Sequence, residues 1–217
     1  MLDAGAGTGI LSVAVVQRLL DDGYSGHIHL TCYETDSLVL SLLQENLSII
    51  SRHADLSFTI KNENYITSQH FGVGSLFRDD ENLYDYVIGN PPYLKIPKDA
   101  DEAKTMLAVC HGAPNLYFLF WAMGIYNLKQ GQELVYIVPR SWTSGAYFKK
   151  FREYLFQTCV ITDIHLFESR DKVFDGEPVL QETIIVKVKK TTQRLSSIRL
   201  TTSATSDFSG ASDVPLV

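Results

Sequence analysis

Leu2-Asp3-Ala4-Gly5-Ala6-Gly7-Thr8-Gly9 runs straight into the apolar segment Ile10-Leu-Ser-Val-Ala-Val-Val16, and this junction decides the fold. Glycines at the end of a strand let the backbone turn sharply and come close to a ligand. The dinucleotide-binding fingerprint would want a third glycine at Ile10, three residues after Gly7, but here it comes one residue early, at Gly9. Asp3, ahead of the glycines, would face a pyrophosphate as an uncompensated like charge. It suits a zwitterionic cofactor with a cationic sulfur better, so nicotinamide oxidoreduction is disfavoured.

Outward from this loop, apolar runs alternate with amphipathic segments. The pattern predicts a helix after Gly9, a strand near Ile28–Tyr33, a helix near Ser37–Ser51 and a strand near Leu56–Ile60. Tyr84–Gly89 reads as a buried strand, Asn115–Leu128 as a helix, Glu133–Val138 as a strand and Ala146–Phe156 as a helix. Val160–Phe167 and Glu182–Val188 read as two closing strands, the last pair antiparallel. Such alternation implies an α/β, Rossmann-like fold with a mostly parallel sheet. No internal repeat is seen.

With 217 residues and 45% apolar content, the chain can bury one substantial core. We expect one catalytic domain over residues 1–190, with its first strand cut short at the start. The tail from Thr191 to Val217 holds 11 Ser or Thr in 27 residues and reads as a linker or the frayed start of a missing domain. No apolar run is long enough to span a membrane and the N-terminus has no secretion signal, so a cytoplasmic location is expected. Cys32, Cys110 and Cys159 fit reduced core thiols, and no metal site is expected.

The net charge of −6 argues against nucleic-acid binding by bulk attraction. Its distribution is uneven, with six Lys and Arg against fifteen Asp and Glu up to residue 102, and thirteen against ten after it. Any polyanion is therefore expected on the second half, where Arg140, Lys149, Lys150, Arg152, Arg170 and Lys172 could line a phosphate track. A solvated helix face explains Lys149 to Arg152 equally well.

Two further positions bear on the cofactor. Glu34, ending the second strand, can accept both ribose hydroxyls, while Asp36 opens the following helix. Asn64 could bond the cofactor adenine or simply shape a turn.

Val87-Ile-Gly-Asn90-Pro91-Pro92-Tyr93 is the most specific stretch. Two consecutive prolines stiffen the backbone beyond a buried strand and fix Asn90 and the Pro91 carbonyl. An aromatic amine is a poor nucleophile because its lone pair is delocalised. If the Asn90 oxygen and the Pro91 carbonyl each accept one N–H, the lone pair localises as positive charge develops on nitrogen. No strong base is needed. Tyr93 then offers a flat surface for an extruded base.

The Asp-x-Gly-x-Gly-x-Gly loop followed by Asn90-Pro-Pro-Tyr93 resembles the gamma class of adenine-N6 DNA methyltransferases. Asn115-Leu-Tyr-Phe, Val138-Pro-Arg-Ser-Trp142, Tyr147–Leu155 and the stretches His165–Phe174 and Val179–Val186 resemble modification enzymes of PstI/BsuBI-type restriction–modification systems. The resemblance implies a class I S-adenosylmethionine-dependent methyltransferase sheet of about seven strands with an antiparallel closing strand. It implies S-adenosyl-L-methionine as cofactor, with Asp3, Gly5, Gly7 and Gly9 around its methionine part and Glu34 at its ribose. It also implies double-stranded DNA as substrate, Asn90 to Tyr93 at a flipped adenine, Phe174 packed on that base opposite Tyr93, and a cognate restriction endonuclease as partner. Read by itself, Phe174 before Asp175-Gly176 is a strand-end core residue.

Other readings stay open. The same Asn-Pro-Pro-Tyr also serves methylation of a protein glutamine or an RNA guanine amine, and a cofactor-fold module could assist a larger complex without catalysis. A cytosine-C5 enzyme is disfavoured, because no cysteine follows a proline in a loop that would supply the nucleophile.

Overall fold

The computed structural model describes residues 1–72, 83–167, 182–193, 197–204, 208 and 210–214. Strands β1 (Leu2–Ala4), β2 (Ile28–Tyr33), β3 (Leu56–Lys61), β4 (Tyr84–Gly89) and β5 (Leu128–Pro139) form the parallel part of one sheet. β6 (Val160–Phe167) and β7 (Thr183–Lys189) follow, then β8 (Arg199–Ser203) and β9 (Ser212–Asp213). The sheet order is β3-β2-β1-β4-β5-β7-β6-β8-β9, with β7 antiparallel to both β5 and β6. The antiparallel closing pair matches the sequence reading.

From β1 the chain builds outward through β2 and β3, then returns to place β4 on the other side of β1. That reversal opens a crevice beyond the carboxyl ends of β1 and β4, the position where open α/β sheets hold ligands. Asp3 pairs with Ile88 in register, so the glycine loop and the Asn-Pro-Pro-Tyr loop leave neighbouring strands side by side.

Helices cover both faces. α1 (Ile10–Asp21) and α2 (Leu40–Ile50) set Val16, Leu43, Leu47 and Ile50 against Ile28, Leu30 and Cys32. α3 (Asp101–Thr105), α4 (Leu116–Asn127) and α5 (Lys149–Thr158) lie with the larger core on the other side. α4 is apolar all round, as expected for a helix wrapped by other elements, and the Asn115 side chain accepts from Tyr117 N at its start. All three cysteines are free and buried.

The differences from the sequence reading are local in origin. α2 begins at Leu40 and not Ser37, because Asp36 Oδ1 accepts from Leu38 N and its carbonyl from Val39 N, making a turn first. Three residues of 3-10 helix, Ala146–Phe148, precede α5. In the tail, Arg199–Ser203 pairs parallel with β6 and Ser212–Asp213 pairs with β8, so the described sheet has nine strands. His165 anchors that seam, with Nδ1 2.8 Å from Thr201 Oγ1 and Nε2 2.9 Å from Ser203 Oγ.

Candidate active site

The glycine loop is tied down along its length. Gly5 N and Ala6 N both donate to the Tyr33 carbonyl, at 2.9 and 3.0 Å, and Gly9 N donates to Ala6 O at 2.8 Å. Asn46 of α2, which the sequence did not mark, donates to Thr8 O at 2.8 Å. Gly5, Gly7 and Gly9 have φ of +73°, +55° and +78°, the left-handed region that a Cβ penalises. At Gly9 the helix approach adds to this, since a Cβ would stand 2.6 Å from Leu43 Cδ1.

Glu34 closes the loop from the side. Its Oε2 accepts from Gly7 N at 2.8 Å, and its Oε1 accepts from Thr35 N and Asp36 N at 2.7 and 2.8 Å. A carboxylate has about four acceptor positions. One therefore stays open on Oε2, which suits a single hydroxyl, and a grip on two hydroxyls needs one of the backbone bonds to yield.

Asp3 lies beneath the loop and does not line the cleft. It is 1% exposed, and its Oδ2 accepts from Ser12 Oγ of α1 at 2.7 Å. Burial pushes its carboxyl up to about 6, the Ser12 bond pulls it down, and the charge of Glu34 adds to the rise.

Asn64 takes the turn arrangement. Its Oδ1 accepts from Ile66 N and Thr67 N, and its Nδ2 donates to Glu102 Oε1 at 2.8 Å. With both ends of the amide engaged, the neighbouring Glu63 and Tyr65 face the cleft in its place.

The cleft, of about 230 Å³, is lined by Gly5, Tyr33, Glu34 and Thr35 from the β1 and β2 ends and by Glu63 and Tyr65 beyond β3. Asn90 and Pro92 beyond β4 and Phe120 from α4 complete it. A Cβ on Gly5 would stand 3.6 Å from Phe120 Cε1 and 3.8 Å from Pro92 Cδ, so the two loops face each other at contact distance. Tyr33, Tyr65 and Phe120 make a continuous aromatic wall, with ring centroids 5.0 and 5.4 Å apart. Asn127 Nδ2 donates to the Tyr65 hydroxyl and to Gln69, which fixes that wall from α4.

At the Asn90–Tyr93 loop the Tyr93 hydroxyl lies 2.8 Å from Asn90 Oδ1 and 3.0 Å from the Ile137 carbonyl, two acceptors for one proton. Its ring meets Tyr117 edge-on, 6.2 Å between centroids. Burial pushes the Tyr93 phenol well above its ordinary value, so it stays neutral. Among the described residues no donor reaches the Pro91 carbonyl.

Phe174, Arg170 and Lys172 lie outside the described residues. Of the other basic residues expected along a phosphate track, Arg140 pairs with Glu182 and Lys149 with Glu153. The Arg152 guanidinium donates to the carbonyls of Trp142, Ser144 and Gly145 and so holds the turn before α5. Lys150 has no such partner among the described residues.

The lining tests what ligand fits. Among the described residues two carboxylates and no cation line the cleft, beside a flat aromatic wall. Such walls suit a nucleoside with hydroxyls and a positively charged group and repel a pyrophosphate.

The sheet order, the antiparallel β7 and the loop at the switch point define a class I S-adenosylmethionine-dependent methyltransferase fold. Solved structures agree. A Listeria monocytogenes protein described as such a methyltransferase superposes with TM-score 0.71 at 20% identity, over 94% of this chain and 58% of that one. The type IIG restriction endonuclease BpuSI superposes with TM-score 0.69 at 21% identity, over 94% and 24%. The chain belongs to the Eco57I restriction-modification methylase family, which it matches over residues 27–174. It is 33% identical over 212 residues to the type II methyltransferase M.BsuBI of Bacillus subtilis, covering 96% of this chain and 42% of that protein. To M.PstI of Providencia stuartii it is 37% identical over 194 residues, covering 88% and 38%. The chain thus spans less than half the length of these relatives.

Proposed function

We propose that the chain carries the catalytic core of a DNA methyltransferase that moves a methyl group from S-adenosylmethionine to the N6 amine of an adenine extruded from double-stranded DNA. One observation carries the reading: Gly5 of the cofactor loop and Asn90 with Pro92 of the reacting loop line one cleft. When bound, the cofactor supplies an electrophilic methyl on a sulfonium.

The residues then divide the work. Gly5 and Gly7 would let the backbone lie against the cofactor, Glu34 would offer an acceptor to a ribose hydroxyl, and Tyr33, Tyr65 and Phe120 would flank its flat part. Asn90 Oδ1 and the Pro91 carbonyl accept the two amine hydrogens and draw the lone pair out of the ring. Releasing Asn90 Oδ1 costs little, because the Tyr93 hydroxyl has Ile137 O as a second acceptor. The Tyr93 ring holds the base in place, with Phe174 as its expected counterpart. Asp3, buried beneath the loop, would lend negative charge to the site of a positively charged cofactor.

Membership of the Eco57I restriction-modification methylase family supports the further reading that the protein serves as the modification part of a restriction–modification system, acting in the cytoplasm beside a cognate endonuclease. We place the catalytic and cofactor-binding residues within residues 1–190, on a sheet that β8 and β9 extend. Among the described residues no helix is long and apolar enough to cross a membrane.

The test is transfer of tritiated methyl from S-adenosylmethionine to plasmid DNA, with the modified base identified by mass spectrometry of nucleosides. N6-methyladenine is expected from the parent. Asn90→Ala should reduce transfer at least 100-fold, in the range for loss of a group that acts on the transition state, while cofactor affinity measured by calorimetry stays within about twofold. Label in RNA or protein alone would refute the DNA reading, and full activity of Asn90→Ala would refute the mechanism.

A further inference from the structure

We infer that Lys95, Lys98 and Lys150 form the phosphate-contacting rim beside the reacting loop and bind the backbone of the DNA strand that carries the target base. The inference rests on the DNA reading above and names residues outside the cleft. The chain after Tyr93 is stitched to the start of α4, with Leu116 N donating to Leu94 O and Ile96 N to Pro114 O, both at 2.8 Å. Lys95 pairs with Asn115 in an isolated antiparallel bridge, and Ile96 is buried as the anchor between the two lysines. The Tyr147 hydroxyl donates to Ala113 O, which brings the start of α5 to the same turn. Lys150 stands in the first turn of α5, three residues after Tyr147.

Lys95, Lys98 and Lys150 are all exposed, and among the described residues none is in an ion pair. The nearby acids are mostly engaged: Asp101 with Lys104 and Glu102 with Asn64, leaving Asp99 as the local counter-charge. By contrast, Arg140, Lys149 and Arg152 are already held by carboxylates or carbonyls. An exposed ammonium with no partner can release counterions from a polyanion, whereas a paired one must first break its bond. All three lysines lie on segments that leave the carboxyl edge of the sheet, the edge on which Asn90 opens. A strand bound there would feed its base toward Tyr93.

Salt dependence reads this out. Binding of the 217-residue chain to a fluorescein-labelled random-sequence duplex is followed by anisotropy at several salt concentrations. Each phosphate contact contributes about 0.9 to the slope of log affinity against log salt. The triple variant K95Q/K98Q/K150Q, which keeps most of each aliphatic stem, should lose about 3 from that slope and bind at least about 10-fold more weakly at moderate salt. The control Lys129→Gln, which breaks the pair with Asp85 at the amino ends of β4 and β5, should leave the slope unchanged. A triple variant with the parent slope overturns the inference alone. A parent that shows no salt-dependent binding to duplex, or prefers single-stranded RNA, overturns the DNA reading along with it.

Discussion

A carboxyl group held under a glycine loop with one hydroxyl partner gives up most of its hydration. Asp3 ionises near 3.8 in the unfolded chain and near about 6 in the fold, so the folded state holds its proton more tightly. Its contribution to stability is therefore complete below pH 4 and is lost as pH rises through 6, about 3 kcal/mol in all. In Asp3→Asn that slope disappears. Urea titrations from pH 4 to 7 should show the variant gaining about 3 kcal/mol relative to the parent across this window, and cofactor affinity at pH 7.5 should fall about tenfold. The pattern Asp-x-Gly-x-Gly-x-Gly announced Asp3 and the loop. It did not announce that Asp3 sits below the loop, or that Glu34 spends three of its acceptor positions on backbone N–H groups. Those outcomes depend on which way a strand end turns, and composition says nothing about that.

Gly124 sets how deeply α4 can lie on the sheet. A Cβ there would meet Leu134 Cδ1 at 2.9 Å, Tyr136 Oη at 3.1 Å and Val87 Cγ1 at 3.3 Å, three side chains of the central strands. Gly124→Ala would push the helix off β4 and β5 and tilt Phe120 out of the cleft wall. Thermal unfolding should show a loss of about 1 to 3 kcal/mol despite the better helix propensity of alanine, with cofactor affinity falling too. Unchanged stability would mean that α4 has room to shift. The helix itself was plain in the apolar run Leu116–Ile125, but Phe120 was invisible as a site residue. A helix apolar on every side marks no face as special. Glu63 and Tyr65 were missed for a related reason: the reading fixed on Asn64 between them, whose short amide serves the turn.

Across the whole molecule, the parallel half of the sheet followed from alternating periodicity, and the far edge did not. Arg199–Ser203 is half exposed, polar and short, so it lacks the buried run that betrays a central strand. Yet it bonds His165 through Thr201 and Ser203 and covers the open edge of β6. A chain ending at Lys190 should unfold at lower denaturant by about 2 kcal/mol or more and aggregate faster, because the bare edge of β6 then offers free ladder groups. Identical melts would show those strands detached in solution.

Burial also raises every thiol in the molecule. Cys110 and Cys159 are pushed up to about 11 and Cys32 higher still, so almost no thiolate exists at neutral pH. Maleimide dyes should therefore ignore the native chain, and a single Tyr24→Cys handle on the half-exposed Tyr24 surface would take one fluorophore cleanly. The fold thus comes ready for spectroscopy without any of its own sulfur having to be removed.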